Sequence, residues 1–203
     1  TALRREYVSA RDHPKWRQRL GSVGVAQSPV SVRIGNKDGK AVPNGEIGEI
    51  LVLGTTVMMG YWQNPEATAT AIRDGWLWTG DMGAMDDDGF VTLHDRSKDM
   101  IISGGENIYP AELEVHLHRL EGVLEAAVVG KTDPKWGETP IAIVVLVPGS
   151  QLEKNAILKS FVGQLARFKH PSDVIFMPKL PRNVMGKVQK FVLRETIFNE
   201  VTK

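Results

Sequence analysis

Between residues 30 and 34 the chain alternates, with Val30, Val32 and Ile34 apolar and Ser31 and Arg33 polar. A period of two turns one set toward a core, so this segment predicts a half-buried strand. Asn36-Lys37-Asp38-Gly39 follows and carries the residues of a hairpin turn. Residues 46–53 include Ile47, Ile50, Leu51, Val52 and Leu53 and predict a second strand. A short helix is predicted from Asn64. Asn64 can cap it, Pro65 suits the first helical position, and Glu66 meets the positive end of the helix dipole. Gly75, Gly80, Gly83 and Gly89 then break the chain into short segments, the punctuation of a small β-barrel or sandwich. Residues 1–27 are polar and rich in arginine, and they predict an irregular, loop-rich entry.

The pattern changes around residues 96–99. Pro110 opens a predicted helix whose apolar side is Leu113, Leu117 and Leu120. Residues 124–129 predict a strand. Residues 141–147 form a continuous apolar run, suited to a strand covered on both faces. Leu158, Phe161 and Leu165 fall at helical spacing within residues 153–167. A short strand at 174–177 and a final helix at 191–198 complete the order. The fold class expected is α+β, with a small β-barrel or sandwich at 1–97 and an α+β domain with a small mixed sheet at 98–203.

Composition narrows the functions. A chain of 203 residues with 42% hydrophobic content can bury a real core. It balances 25 Lys and Arg against 24 Asp and Glu, without blocks of one sign. A nucleic-acid or membrane-surface role therefore has no electrostatic footprint. The absence of cysteine excludes disulfides, thiolate zinc sites and a Cys nucleophile, and it fits a cytoplasmic protein. No apolar run reaches bilayer-spanning length. His13, His94, His116, His118 and His170 show no ligand spacing, so no metal site is expected. No Gly-x-Ser-x-Gly elbow is present. The chain begins at Thr1 rather than Met and reads as a piece of something longer.

Three segments could carry chemistry. Trp78-Thr79-Gly80-Asp81 places a carboxylate on a tight turn, where it can accept hydrogen bonds from two adjacent hydroxyls such as those of a ribose. The same residues also make ordinary turns. The run from Asp95 through Arg96, Lys98 and Asp99 leads to Gly104-Gly105-Glu106. A charged run at a boundary is usually a solvated linker, while two glycines after an apolar strand permit either a sharp turn or close approach of a ligand. Pro181 to Lys190 carries Gly186-Lys187, and a Lys on such a loop can swing a compact charge toward phosphate oxygens. It is not a Walker loop.

Order and spacing say more than any single motif. Gly45-Glu46-Ile47-Gly48-Glu49-Ile50, then Gly60-Tyr61-Trp62-Gln63-Asn64-Pro65-Glu66, then Gly75-Trp76-Leu77-Trp78-Thr79-Gly80-Asp81, then residues 96–114, then Gly186-Lys187 together resemble the AMP-forming acyl-CoA synthetases. The resemblance covers roughly residues 21–203. It implies an enzyme that joins a carboxylic acid to ATP as an acyl-adenylate and then passes the acyl group to coenzyme A. It implies that residues 1–97 end the large adenylation domain and that 98–203 form a mobile lid. Carried over position by position, it implies ribose contact at Asp81 and Arg96 and a hinge at Lys98. It likewise implies the adenylation lysine at Lys187, a pantetheine-lining loop at Gly104, Gly105 and Glu106, and a coenzyme A contact at Trp136. Asp95 stands where relatives often have Gly, and Met185 where Ser or Thr is frequent. The family's phosphate loop and its adenine and Mg2+ segment have no counterpart among these residues, so Mg2+ and the acyl pocket are expected from a missing N-terminal part. The chain alone is then expected to be inactive. The alternative is a non-catalytic AMP- or coenzyme-A-binding module, or a subunit acting in trans. Trp62, Trp76 and Trp78 are expected to be exposed and to favour self-association.

Overall fold

The computed structural model describes residues 1–200, with side chains through Thr196. The chain divides into two compact units, Thr1–Lys98 and Asp99–Lys203.

The first unit opens with two short helices, α1 (Arg5–Ser9) and α2 (Trp16–Leu20), where the sequence predicts irregular chain. Neither buries a residue, which is why no apolar period announces them. Polar and aromatic ties hold them instead. The Trp16 indole N–H donates to the Val8 carbonyl at 2.8 Å, and Lys15 and Arg19 both reach Asp88. The Arg19 guanidinium also lies over the Phe90 ring, 4.6 Å from its centroid.

Five strands follow: β1 (Val30–Gly35), β2 (Gly48–Gly54), β3 (Ile72–Arg73), β4 (Trp76–Met85) and β5 (Val91–Arg96). All pair antiparallel, in the order β1-β2-β4-β3, with β5 also on β4. Register shifts interrupt both long pairings of β4, and bulges of this kind bend and twist a sheet, so this one curls. Ile34, Ile50 and Val91 form its core with Val23, Val32, Val42, Val52 and Met85. The second strand starts two residues later than its apolar pattern predicts. Between β2 and β3, helix α3 (Pro65–Ala71) is capped as expected, with the Asn64 side-chain oxygen accepting from the Ala67 N–H at 3.0 Å.

The expectation of exposed tryptophans holds for Trp62, which is 88% exposed, and fails for Trp76 and Trp78. Those two are half-buried beneath arginines, with Arg33 over Trp76 at 3.9 Å and Arg73 over Trp78 at 4.3 Å.

The second unit contains β6 (Ile101–Ser103), β7 (Glu106–Ile108), α4 (Pro110–Leu117), β8 (Val123–Asp133), β9 (Gly137–Leu146), α5 (Lys154–Ser160), β10 (Asp173–Phe176) and α6 (Lys190–Glu200). The sheet is mixed: β10 runs parallel to β9, and the other pairs are antiparallel. The continuous apolar run is β9, and it is covered on both faces. Ala142 and Val144 pack with Leu113, Leu117, Ile157 and Phe161, while Ile141, Ile143 and Val145 pack with Leu180 and Leu193. Each of the Val, Leu, Ile and Phe side chains among them contributes about 1.5–3 kcal/mol on full burial. Helix α5 stops earlier than its spacing predicts, because Gly163 takes a left-handed backbone (φ 76°). Leu158, Phe161 and Leu165 still reach the same core. The fold class is thus α+β, a curled five-stranded antiparallel sheet followed by a five-stranded mixed sheet with helices on both faces.

Candidate functional site

Asp81 sits on an irregularity of β4. Leu51 pairs with Trp78 and Glu49 with Met82, so Thr79, Gly80 and Asp81 stand opposite the single residue Ile50. Gly80 makes this possible with φ 73°. Two side chains brace the bulge. The Thr79 hydroxyl donates to the Ile50 carbonyl at 2.8 Å and accepts from the Asp81 N–H at 3.1 Å. The Glu49 carboxylate accepts from the Gly80 N–H at 2.9 Å. Across the β4–β5 pair, Asp81 faces Arg96, and their carboxylate and guanidinium lie 3.2 Å apart. Asp81 keeps a third of its side chain exposed and Arg96 more than half, so both remain open to a ligand. Thr79 and Asp81 also border a cavity of about 330 Å³ whose walls include Val30, Val32, Val52 and Val91. A carboxylate and a guanidinium beside an apolar hollow can receive a molecule with a flat apolar part and hydroxyls.

Lys98 lies in a 3₁₀ turn, Ser97–Asp99, at the junction of the two units. The residue after it is tied into the second unit, with Asp99 accepting from the Arg194 guanidinium at 2.8 Å.

In the second unit, β6 and β7 join through Gly104 and Gly105, both at positive φ, as a two-residue hairpin turn requires. The Gly104 N–H donates to the Trp136 carbonyl at 2.8 Å. A Cβ at Gly104 would come within 3.0 Å of the Trp136 ring, so the glycine is what lets the indole lie against the turn. Trp136 is 48% exposed, and Lys135 lies 4.4 Å from its ring centroid. Trp136 and the turn that begins at Gly104, far apart in sequence, therefore lie side by side. Lys187 stands on a separate turn. The Asn183 side-chain oxygen accepts the N–H groups of Met185 at 3.0 Å and Lys187 at 2.9 Å. Among the described residues the Lys187 ammonium has no hydrogen-bond or ion-pair partner.

Glu49, Lys135, Arg182 and Glu125 belong to these sites by contact, yet sequence reasoning assigned them nothing. Lys135 and Arg182 adjoin or lie within motifs already singled out. Glu49 lies in the motif at residues 45–50, but its bracing contact depends on the β2–β4 register, and Glu125 meets Arg182 only through the tertiary fold. Among the described residues no group of three or more His, Asp or Glu could hold a metal ion. Among the described residues no helix is long and apolar enough to cross a membrane.

Comparison with known proteins agrees with this geometry. Residues 7–62 match the AMP-binding enzyme family and residues 112–187 match its AMP-binding enzyme C-terminal domain. The chain is 44% identical over 180 residues to the indoleacetate–CoA ligase of Aromatoleum aromaticum, covering 89% of this chain and 35% of that protein. It is 43% identical over 186 residues to a long-chain-fatty-acid–CoA ligase of Mycobacterium tuberculosis, covering 92% of this chain and 37% of that one. Its backbone superposes on ATP-bound MatB from Rhodopseudomonas palustris with a TM-score of 0.83 at 46% identity, over 87% of this chain and 35% of the other. The α+β chain carries both matches. It belongs to the AMP-binding enzymes, within the AMP-forming acyl-CoA synthetase family, and it spans 35–37% of the length of these relatives.

Proposed function

We propose that this chain is the carboxyl-terminal part of an acyl-CoA ligase. The whole enzyme joins a carboxylic acid to ATP, forming an acyl-adenylate and releasing pyrophosphate. The thiol of coenzyme A then attacks the acyl carbon and AMP leaves. The observation that carries this reading is the cross-strand Asp81–Arg96 pair at 3.2 Å beside an apolar hollow.

Asp81 accepts hydrogen bonds from the ribose hydroxyls, and Arg96 supplies a cation beside it. Residues 1–97 close the large domain and 98–203 act as the lid. Lys98 serves as the hinge, since an exposed residue in a short turn absorbs backbone rotation more easily than a buried one. Lys187 places its ammonium against the α-phosphate as negative charge develops, and the lid then turns to admit the thiol. Gly104, Gly105 and Glu106 line the path of the pantetheine arm, where the lack of side chains on the glycines allows close approach. Trp136 packs against coenzyme A. We assign no Mg2+ ligand among the described residues.

The test is Lys187→Ala in the enzyme that carries this chain. Adenylate formation, read as acid-dependent pyrophosphate exchange, should fall by about a hundredfold or more. Thioester formation from supplied acyl-adenylate should stay within about twofold. An equal loss in both half-reactions would refute the assignment.

A further inference from the structure

Three turns in this chain share one hydrogen-bonding scheme. Asn36, Asp86 and Asn183 each start a five-residue turn with Gly at the fourth position: Gly39, Gly89 and Gly186. In each, the first residue's N–H donates to the fifth residue's carbonyl, and the glycine N–H donates back to the first residue's carbonyl, all at 2.9–3.0 Å. The first side chain also accepts the N–H groups of the third and fifth residues. Such a turn closes through its own backbone and its first side chain, and the same scheme forms at Asn36 and Asp86 without an arginine on the glycine carbonyl.

The third copy has something the others lack. Arg182 donates to the Gly186 carbonyl at 2.6 Å, and the same guanidinium pairs with Glu125 on β8. Among the described residues, no side chain binds the carbonyl of Gly39 or Gly89. The clamp is therefore not what makes the turn. What it adds is a tie between the turn and a strand of the sheet, at the peptide unit that joins Gly186 to Lys187. Glu125 lies 57 residues away in sequence, and β8 belongs to the rigid sheet of the unit.

We propose that Arg182 and Glu125 are positioning residues for Lys187. They hold an already formed turn at one angle to the sheet, so that the lysine's reach and direction are set before it meets its target. This rests on the reading of Lys187 as the residue that meets the α-phosphate. A planar guanidinium can bind a carbonyl with one nitrogen and a carboxylate with another, which a lysine ammonium does with less directional control. Displacement of a reacting group by about 1 Å can cost about a hundredfold in rate.

The experiment uses the enzyme that carries this chain and compares Arg182→Ala, Glu125→Gln, Lys187→Ala and the exchanged pair Glu125→Arg with Arg182→Glu. Arg182→Ala should lower pyrophosphate exchange by about ten- to a hundredfold, with thioester formation from supplied adenylate within about twofold. Amide hydrogen exchange at Met185 and Lys187 should stay within about threefold of wild type, because the turn persists without the clamp. The exchanged pair should recover the thermal midpoint lost in Arg182→Ala but not the adenylation rate, since Glu at 182 cannot donate to the Gly186 carbonyl. Recovery of the rate in the exchanged pair would overturn the proposal and leave a simple ion pair. So would fast amide exchange across the turn in Arg182→Ala, which would make the clamp a folding element. An impaired Lys187→Ala beside a fully active Arg182→Ala would sink this proposal alone. A silent Lys187→Ala would sink the reading of Lys187 and the proposal with it.

Discussion

Replacing Glu114 should unpick the β8 edge of the second sheet. Among the described residues strand β8 pairs only with β9, so its other side presents backbone donors outside the ladder. One of them, the N–H of the fully buried Val128, donates to the Glu114 carboxylate at 2.8 Å. The same oxygen pairs with Lys190 at 2.8 Å, and the two side chains are only 20% and 16% exposed. One carboxylate from α4 thus ties β8 to the start of α6. Glu114→Ala leaves the buried N–H unsatisfied, at about 1–3 kcal/mol, and strips a partner from a half-desolvated ammonium. With the ionic part discounted for residual solvent, a total near 3 kcal/mol follows. At an m-value of about 2 kcal/mol/M, the urea midpoint of the second unit should drop by about 1.5 M. Glu114→Gln keeps an acceptor for Val128 and should cost about half as much. Glu112 on the same helix is the control. It pairs with Lys169 at 2.7 Å, and 38% of its side chain is exposed. Glu112→Ala should cost below about 1 kcal/mol. The assay is urea unfolding by circular dichroism, with amide exchange at Val128. Equal losses for Glu114→Ala and Glu112→Ala, or an unchanged Val128 exchange rate in the former, would refute the edge-tie argument.

Two further predictions concern Gly104 and His116. Gly104→Ala forces a side chain into a left-handed backbone (φ 60°) and against Trp136, so it should cost about 1–2 kcal/mol and shift the tryptophan emission; an unmoved spectrum would argue against the packing. Burial against Phe161, with Arg119 nearby, holds the His116 imidazole below the ordinary histidine value, and the hydrogen bond to Ser160 opposes this only in part. The unfolded chain therefore takes up that proton first as the pH falls, so the stabilisation is complete above about pH 6.5 and is lost progressively below it. Unfolding midpoints between pH 7 and pH 5 should fall less steeply in His116→Gln than in wild type, and parallel slopes would refute the assignment.

Much of the fold follows from local pattern. The apolar run of β9 announces a strand covered on both faces because a buried parallel-type strand can tolerate nothing else. Asn64-Pro65-Glu66 announces α3 because capping chemistry is local. The misses share a cause. Helices α1 and α2 are held by ion pairs and stacking with residues more than 60 positions away, such as Asp88, and so leave no periodicity. Trp76 and Trp78 read as exposed because their covers, Arg33 and Arg73, arrive through strand pairing and side-chain reach. In the candidate site, Asp81 stands out as a carboxylate after a glycine, but its bracing by Glu49 depends on a bulge that no residue count along the chain reveals.

Lys187 and Lys190 show where residue type stops being informative. They are three positions apart in one segment, and while the glycine before Lys187 and the family resemblance favour it, residue type alone does not separate the two. The structure separates them by surroundings. Lys190 opens α6 with its ammonium sealed against Glu114, its side chain 16% exposed. Its charge is already neutralised, and moving it would leave both a carboxylate and a backbone donor without partners. Lys187 projects from a turn whose backbone bonds close internally, and its ammonium is exposed. Removing it costs the fold little, and its charge is available to phosphate oxygens without first breaking a bond. The same contrast divides Asp99, which is 14% exposed and held by Arg194, from Asp81, which faces Arg96 in the open. A charge that ties elements together is desolvated and paired on both sides. A charge that meets a transient partner must stay hydrated until that partner displaces the water, while the backbone beneath it is held rigid. Asp81 on its braced bulge and Lys187 on its clamped turn meet both conditions, whereas Lys190 and Asp99 are desolvated and already paired.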